Sequence, residues 1–178
     1  MRTKIIYYAH GTTFDNAAGR SSGWKNVELN ELGIEQSKAL AEQTKNIKFD
    51  VYFTSDLKRA IDTADYAWPG VEKIQDKRLR ECNYGDLDGQ ASNLVVYEDH
   101  IYEPFPNGES MQDVEKRIAE FLDFIKTEYK GKTIAVVMHK ATQFAFEVLI
   151  NNVSWEEAIK NDWRERKAWQ PGWEYYLD

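Results

Sequence analysis

The chain has 178 residues, 42% hydrophobic and 30% charged, a balance that suits one packed domain over 1–178 and excludes a disordered polymer. A formal charge of −7 excludes general nucleic-acid binding, which needs a basic face. The single cysteine, Cys82, excludes an internal disulfide and a cysteine-rich zinc site, and makes a reducing cytoplasm the expected compartment.

Residues 4–9 form an apolar, β-prone run that ends at His10 and Gly11. It is too short for a signal segment or a membrane span, so no membrane partner is expected. A polar, glycine-containing loop follows through Lys25. Asn30 is placed to cap a helix over 31–45, in which Leu32, Ala39, Leu40 and Gln43 recur at near-helical spacing. Val51–Thr54 reads as the next strand, Ser55 as the cap of a helix through Ala67, and Pro69–Gly70 as its stop.

The stretch 72–107 is less regular, with a short strand expected near 73–76 and a helix near 91–98. Ser110 and Asp113 have capping-box spacing, and Val114, Ile118, Phe121, Leu122 and Ile125 share one helical face behind them. Lys132–Met138 is a strand, Ala141–Asn151 a helix, and Trp173–Leu177 a last strand. Alternation of this kind implies an α/β fold, a mostly parallel sheet with helices on both faces.

Two of the three histidines, His10 and His139, directly follow buried strand runs. Parallel strands would bring both to the carboxyl edge, where open α/β sheets bind ligands. A neutral imidazole is a competent nucleophile toward phosphorus, and a second can share the charge of phosphoryl oxygens. Arg59, on the helix after the second strand, offers a planar fork suited to phosphate. Glu81 could protonate a leaving oxygen. Each residue has a simpler reading alone: a satisfied core histidine, a solvated helix arginine, an exposed loop glutamate. Their joint order is more specific.

The order resembles the histidine phosphatase superfamily, in its phosphoglycerate-mutase-like branch. The resemblance covers nearly the whole chain. It rests on Ala9-His10-Gly11-Thr12-Thr13 with Asn16 and Gly19-Arg20, and on Glu31-Leu32-Gly33-x-x-Gln36. It continues through Ser55-Asp56-Leu57-x-Arg59-Ala60-x-x-Thr63-Ala64 and Leu79-Arg80-Glu81-x-x-Tyr84-Gly85, then Asn107-Gly108-Glu109-Ser110 and Met138-His139. The resemblance implies a three-layer α/β/α sandwich and phosphoryl transfer through a phosphohistidine on His10. It implies Glu81 as proton donor, Arg59 and His139 in the phosphate pocket, and Gly11, Thr13 and Asn16 beside the phosphate. Arg20 would lie nearer the substrate body. It implies a small phosphorylated substrate and neither metal nor organic cofactor; a homodimer is left open.

One position departs from the pattern. Ala9 stands where the superfamily's first motif, Arg-His-Gly, has its arginine. Loss of one such electrostatic donor costs roughly 2.7–4 kcal/mol of transition-state stabilisation. Three readings stay open at this point: an engineered change, a drift toward a protein that binds phosphorylated ligands without cleaving them, or replacement by another cation. Lys140, where the pattern usually has glycine, is the candidate for the last. The short, acidic segment between Tyr84 and Pro104 is a poor cover for a bisphosphate, which favours a phosphatase over a mutase. Phe14, Trp24 and Tyr84 flank the motifs as a candidate apolar rim. Trp163, Trp169 and Trp173 are candidates for packing on the sheet or for a dimer contact.

Overall fold

The computed structural model describes residues 2–168 and 170–178. Its strands are β1 (Thr3–Ala9), β2 (Arg20–Ser21), β3 (Val51–Thr54), β4 (Ile74–Gln75), β5 (Gln90–Ala91), β6 (Thr133–Met138) and β7 (Trp173–Leu177). Its α-helices are α1 (Phe14–Ala17), α2 (Glu31–Thr44), α3 (Lys58–Ala67), α4 (Met111–Glu128), α5 (Lys140–Asn151) and α6 (Trp155–Lys160). The main sheet has the order β4-β3-β6-β1-β7, parallel except for the antiparallel edge strand β7. Strands β2 and β5 pair separately.

Side-chain alternation along β1 and β6 builds the layers, because successive residues point to opposite faces. Ile5, Tyr7, Ile134 and Val136 pack with Val114, Ile118 and Phe121 of α4 and with Ala141 and Phe144 of α5. Ile6, Tyr8, Ala135 and Val137 pack with Leu40 of α2 and Ala60 and Ala64 of α3. The expected α4 stripe is buried throughout, and its cap closes reciprocally: Asp113 N–H donates to Ser110 Oγ, and Ser110 N–H donates to the Asp113 carboxylate.

Four local expectations change. The buried stripe of α2 is Gly33, Ser37, Leu40 and Thr44, with Leu32 exposed, because this helix leans on the loop after β1 and needs small residues there. A Cβ on Gly33 would lie 2.1 Å from the Thr12 carbonyl oxygen. Helix α3 begins at Lys58; the Ser55 hydroxyl accepts from Leu57 N–H one turn earlier. The stretch 91–98 is not an α-helix. It holds short β5 and the 3-10 turns Ser92–Leu94 and Tyr97–His100, since Leu94 and Val96 stay exposed and give no apolar stripe. Helices α1 and α6 were not expected, although Thr13 and Ser154 cap them with bonds from Asn16 N–H and Glu157 N–H.

Candidate active site

Parallel pairing of β1 with β6 in the register Ala9↔Met138 sets the next residue of each strand side by side at the carboxyl edge of the sheet. The rings of His10 and His139 lie there with centroids 5.1 Å apart and planes inclined at 54°. His10, half-buried, donates through Nδ1 to the Gly11 carbonyl at 2.8 Å, since a carbonyl can only accept. That fixes the tautomer and leaves Nε2 unprotonated. Burial, reinforced by the Arg59 charge, brings the His10 pKa down to about 3. His139 is fully buried and neither ring nitrogen has a partner among the described residues. Burial first, then Arg59 and His10, hold it well below the ordinary histidine range. Two neutral imidazoles therefore face one space.

That space is a cavity of about 670 Å³ whose wall includes His10, His139, Arg59 and Glu81 together with Ala9, Thr12, Asn16, Arg20, Tyr84, Lys140 and Arg164. Arg59 is 2% exposed and commits part of its fork to the backbone, donating to the Gly23 and Lys25 carbonyls at 2.9 and 3.0 Å. Glu81 is buried against the N-terminus of α5. Its Oε1 accepts from Cys82 and Ala141 N–H at 2.9 and 3.0 Å, and its Oε2 takes one longer bond, 3.2 Å, from Lys140 N–H. The less occupied oxygen is thus Oε2.

Other sequence-predicted residues fall apart from this group. Thr13 is buried and caps α1, accepting from Asn16 N–H while its own N–H donates to Asn16 Oδ1; it is absent from the cavity wall. Gly11 also lies behind the wall. Its N–H donates to Thr63 Oγ1, and a Cβ there would meet the Gly33 carbonyl oxygen at 2.4 Å. These two residues shape the loop, and Thr12 faces the cavity in their place. Thr12 is held by Gln36, whose Oε1 accepts from both its N–H and its hydroxyl. Lys140 places Nζ 2.8 Å from Asp162 Oδ2. Phe14 is exposed, Trp24 donates Nε1–H to the Glu81 carbonyl at 2.7 Å, and only Tyr84 of that trio reaches the cavity. Trp163 and Trp173 stack at 4.8 Å, and Trp173 also meets the Tyr7 ring; Trp169 lies outside the described residues.

A family model for the histidine phosphatase superfamily (branch 1) matches residues 5–163. The chain belongs to that superfamily. It is 28% identical to the 2,3-bisphosphoglycerate-dependent phosphoglycerate mutase of Rhizobium meliloti, over 90% of this chain and 85% of that one. Among solved structures it resembles a phosphoserine phosphatase from Entamoeba histolytica in complex with 3-phosphoglyceric acid. The TM-score is 0.78 and the identity 25%, over 89% of this chain and 84% of that chain. A mycobacterial glucosyl-3-phosphoglycerate phosphatase in complex with VO3 aligns with TM-score 0.75 and 27% identity, over 87% and 85% of the two chains. Both catalytic types, phosphatase and mutase, thus stand near this histidine phosphatase homologue.

Two contributors to the site carry no sequence signal that motif order would detect. Arg117 of α4 donates to the carbonyls of Arg78, Arg80 and Glu81 and pairs with the Glu109 carboxylate, so it sets the backbone that presents Glu81. Arg164 lies in the C-terminal segment beyond the matched region and still forms part of the cavity wall. Among the described residues, no helix is long and apolar enough to cross a membrane.

Proposed function

We propose that this protein hydrolyses a small phosphomonoester through a phosphohistidine on His10. The observation that carries the reading is the convergence of two neutral imidazoles, a buried guanidinium and a carboxylate on one cavity at the strand ends. His10 Nε2 attacks phosphorus; the P–N bond forms as the ester P–O bond breaks. A proton passes from the Glu81 carboxyl group to the departing alkoxide oxygen. Arg59 and the N–H of His139 hold the equatorial oxygens while their charge grows, the kind of preorganised stabilisation that dominates such reactions. Water then attacks phosphorus, the P–N bond breaks, and Glu81 regains a proton from that water. Asn16 and Arg20 both line the cavity; Asn16 is assigned to the phosphate and Arg20 to the substrate body.

A mutase reading has support from the curated relatives. The cavity cover argues against it. The segment after Tyr84 is short and contributes Glu98, a carboxylate, to the wall, with no cation of its own to hold a second phosphate. The decisive experiment labels the protein with a 32P-phosphomonoester. Acid-labile, base-stable label on His10, lost with the activity in His10→Ala, is expected. Parental hydrolysis of p-nitrophenyl phosphate by His10→Ala would overturn the phosphohistidine, and dependence on a bisphosphate primer would favour the mutase.

A further inference from the structure

The first strand ends on Ala9, so the cavity wall beside His10 carries no cation from β1 itself. Tyr7 and Ala9 are two residues apart on β1 and therefore point to the same face of the sheet. On that face the Tyr7 hydroxyl accepts a hydrogen bond from Arg164 Nη2 at 3.0 Å. A guanidinium from residue 164 is thus docked on the Tyr7 side chain of β1 and shares the cavity wall with Ala9.

Three contacts hold it there. Arg164 Nη1 donates to Asp162 Oδ1 at 3.0 Å and to Gln143 Oε1 at 3.3 Å, and the guanidinium lies 4.3 Å from the centroid of the Trp163 ring. Trp163 itself donates to the same Gln143 oxygen, so buried Gln143 of α5 fixes both residues. With Nη1 committed twice and Nη2 once, Nε–H and one Nη2–H of the five donors have no partner among the described residues. Charge balance also favours an anion. Asp162 faces both Lys140 and Arg164, leaving one net positive charge in that cluster. The positive field of Arg164 reaches both imidazoles, adding to the burial that keeps them neutral.

We propose that Arg164 is a phosphoryl-gripping residue of this site, delivered from the C-terminal segment to the place that Ala9 leaves without a cation. The proposal rests on the phosphohistidine reading for its chemistry, but anion binding alone can test it. Lys140, the cation expected from the sequence, is the weaker candidate. It stands over the Tyr97 and Phe144 rings and against Asp162, and among the described residues makes no hydrogen bond to a β1 side chain such as Arg164 makes with Tyr7.

The test measures kcat/KM on p-nitrophenyl phosphate and orthovanadate affinity by calorimetry in the parent, Arg164→Met, Arg164→Lys, Ala9→Arg and the double variant Ala9→Arg/Arg164→Met. Arg164→Met is expected to lose about 10²–10³ in kcat/KM, the usual loss for one transition-state donor, and to weaken vanadate. The double variant recovers most of that loss, which a merely structural role would not produce. Ala9→Arg alone gains little, because the place is already served. Arg166→Met, on an exposed neighbour, matches the parent. Should Arg164→Met not fold, Arg164→Lys keeps an ion pair with Asp162 and is expected to lose about tenfold in vanadate affinity, the value of one charged hydrogen bond. Parental kcat/KM and vanadate affinity in a folded Arg164 variant overturn the proposal, as does a hundredfold gain in Ala9→Arg alone. A parent that binds vanadate but cleaves no ester defeats the phosphatase reading and leaves the Arg164 comparison readable from vanadate affinity.

Discussion

The two sides of the cavity are built by different means. The wall formed by the loop after β1, backed by α2 and α3, is a backbone construction: Gly11 N–H on Thr63, Thr12 N–H on Gln36, and Gly33 pressed against Thr12. The wall formed by α5 and residues 162–164 is a side-chain construction, in which one buried carboxylate, two cations and Gln143 hold each other. Backbone walls need particular small or amide residues at fixed spacings, so they leave motifs. Side-chain walls can be assembled from any part of the chain that reaches, so they leave none. His10, the proposed nucleophile, sits on the first wall and Arg164, the proposed phosphoryl-gripping cation, on the second.

The difference can be broken first at Arg117, which belongs to neither wall but holds the loop between them. Arg117→Met strips partners from three carbonyls and leaves the Glu109 carboxylate unpaired, where the pair is mostly buried. The expected loss is about 3 kcal/mol in urea unfolding, with a fall in kcat as Glu81 loses its seat. An unchanged midpoint would mean that the loop carries itself. Gly33→Ala probes the backbone wall. Its Cβ would meet Thr12 oxygen and nitrogen at 2.1 and 2.8 Å, so α2 and the nucleophile loop must separate. A cost of about 2 kcal/mol is expected, with loss of activity, whereas Leu32→Ala on the exposed face of the same helix changes neither. Lys140→Met probes the side-chain wall and is expected to cost less than about 1 kcal/mol, since Lys140 is partly exposed and Asp162 keeps Arg164. A tenfold or smaller change in kcat/KM is expected with it; a loss equal to that of Arg164→Met would move the gripping role back to Lys140.

The same contrast explains what could be read in advance. His10, Arg59 and His139 were legible because each follows a strand or opens a helix, and parallel alternation sends such positions to one edge; Glu81, in irregular chain after β4, was legible only through the order of the motifs. The capping box at Ser110 was legible because its chemistry is local. Thr13 was misplaced because a threonine one turn from a nucleophile looks equally suited to phosphate and to a helix cap, and only the fold shows that Asn16 engages it. Helix α6 could have been found from Ser154 and Glu157, which share the spacing of the pair at Ser110, although here only the Ser154 half of the box forms. Arg164 could not. Its partners Tyr7, Gln143 and Asp162 come from three elements, and no spacing links residue 7 to residue 164.

The smallest effect expected is a missing one. Both imidazoles of the cavity have folded-state pKa values below the ordinary 6.5, His10 at about 3. The unfolded chain therefore binds more protons than the native one as pH falls below about 6.5, and stability contributed by the neutral pair is present above that pH and is lost on acidification toward the folded values. Ring proton resonances of His10 and His139 should show no inflection between pH 5 and 8. The thermal midpoint should drop from pH 6.5 to 4 with a slope that flattens in His10→Gln, which removes one of the two groups. An inflection near 6.5 for both rings would mean that the cavity is wetter than its geometry implies. The nucleophile would then be partly protonated at neutral pH, and the strand edge would not by itself prepare His10 for attack.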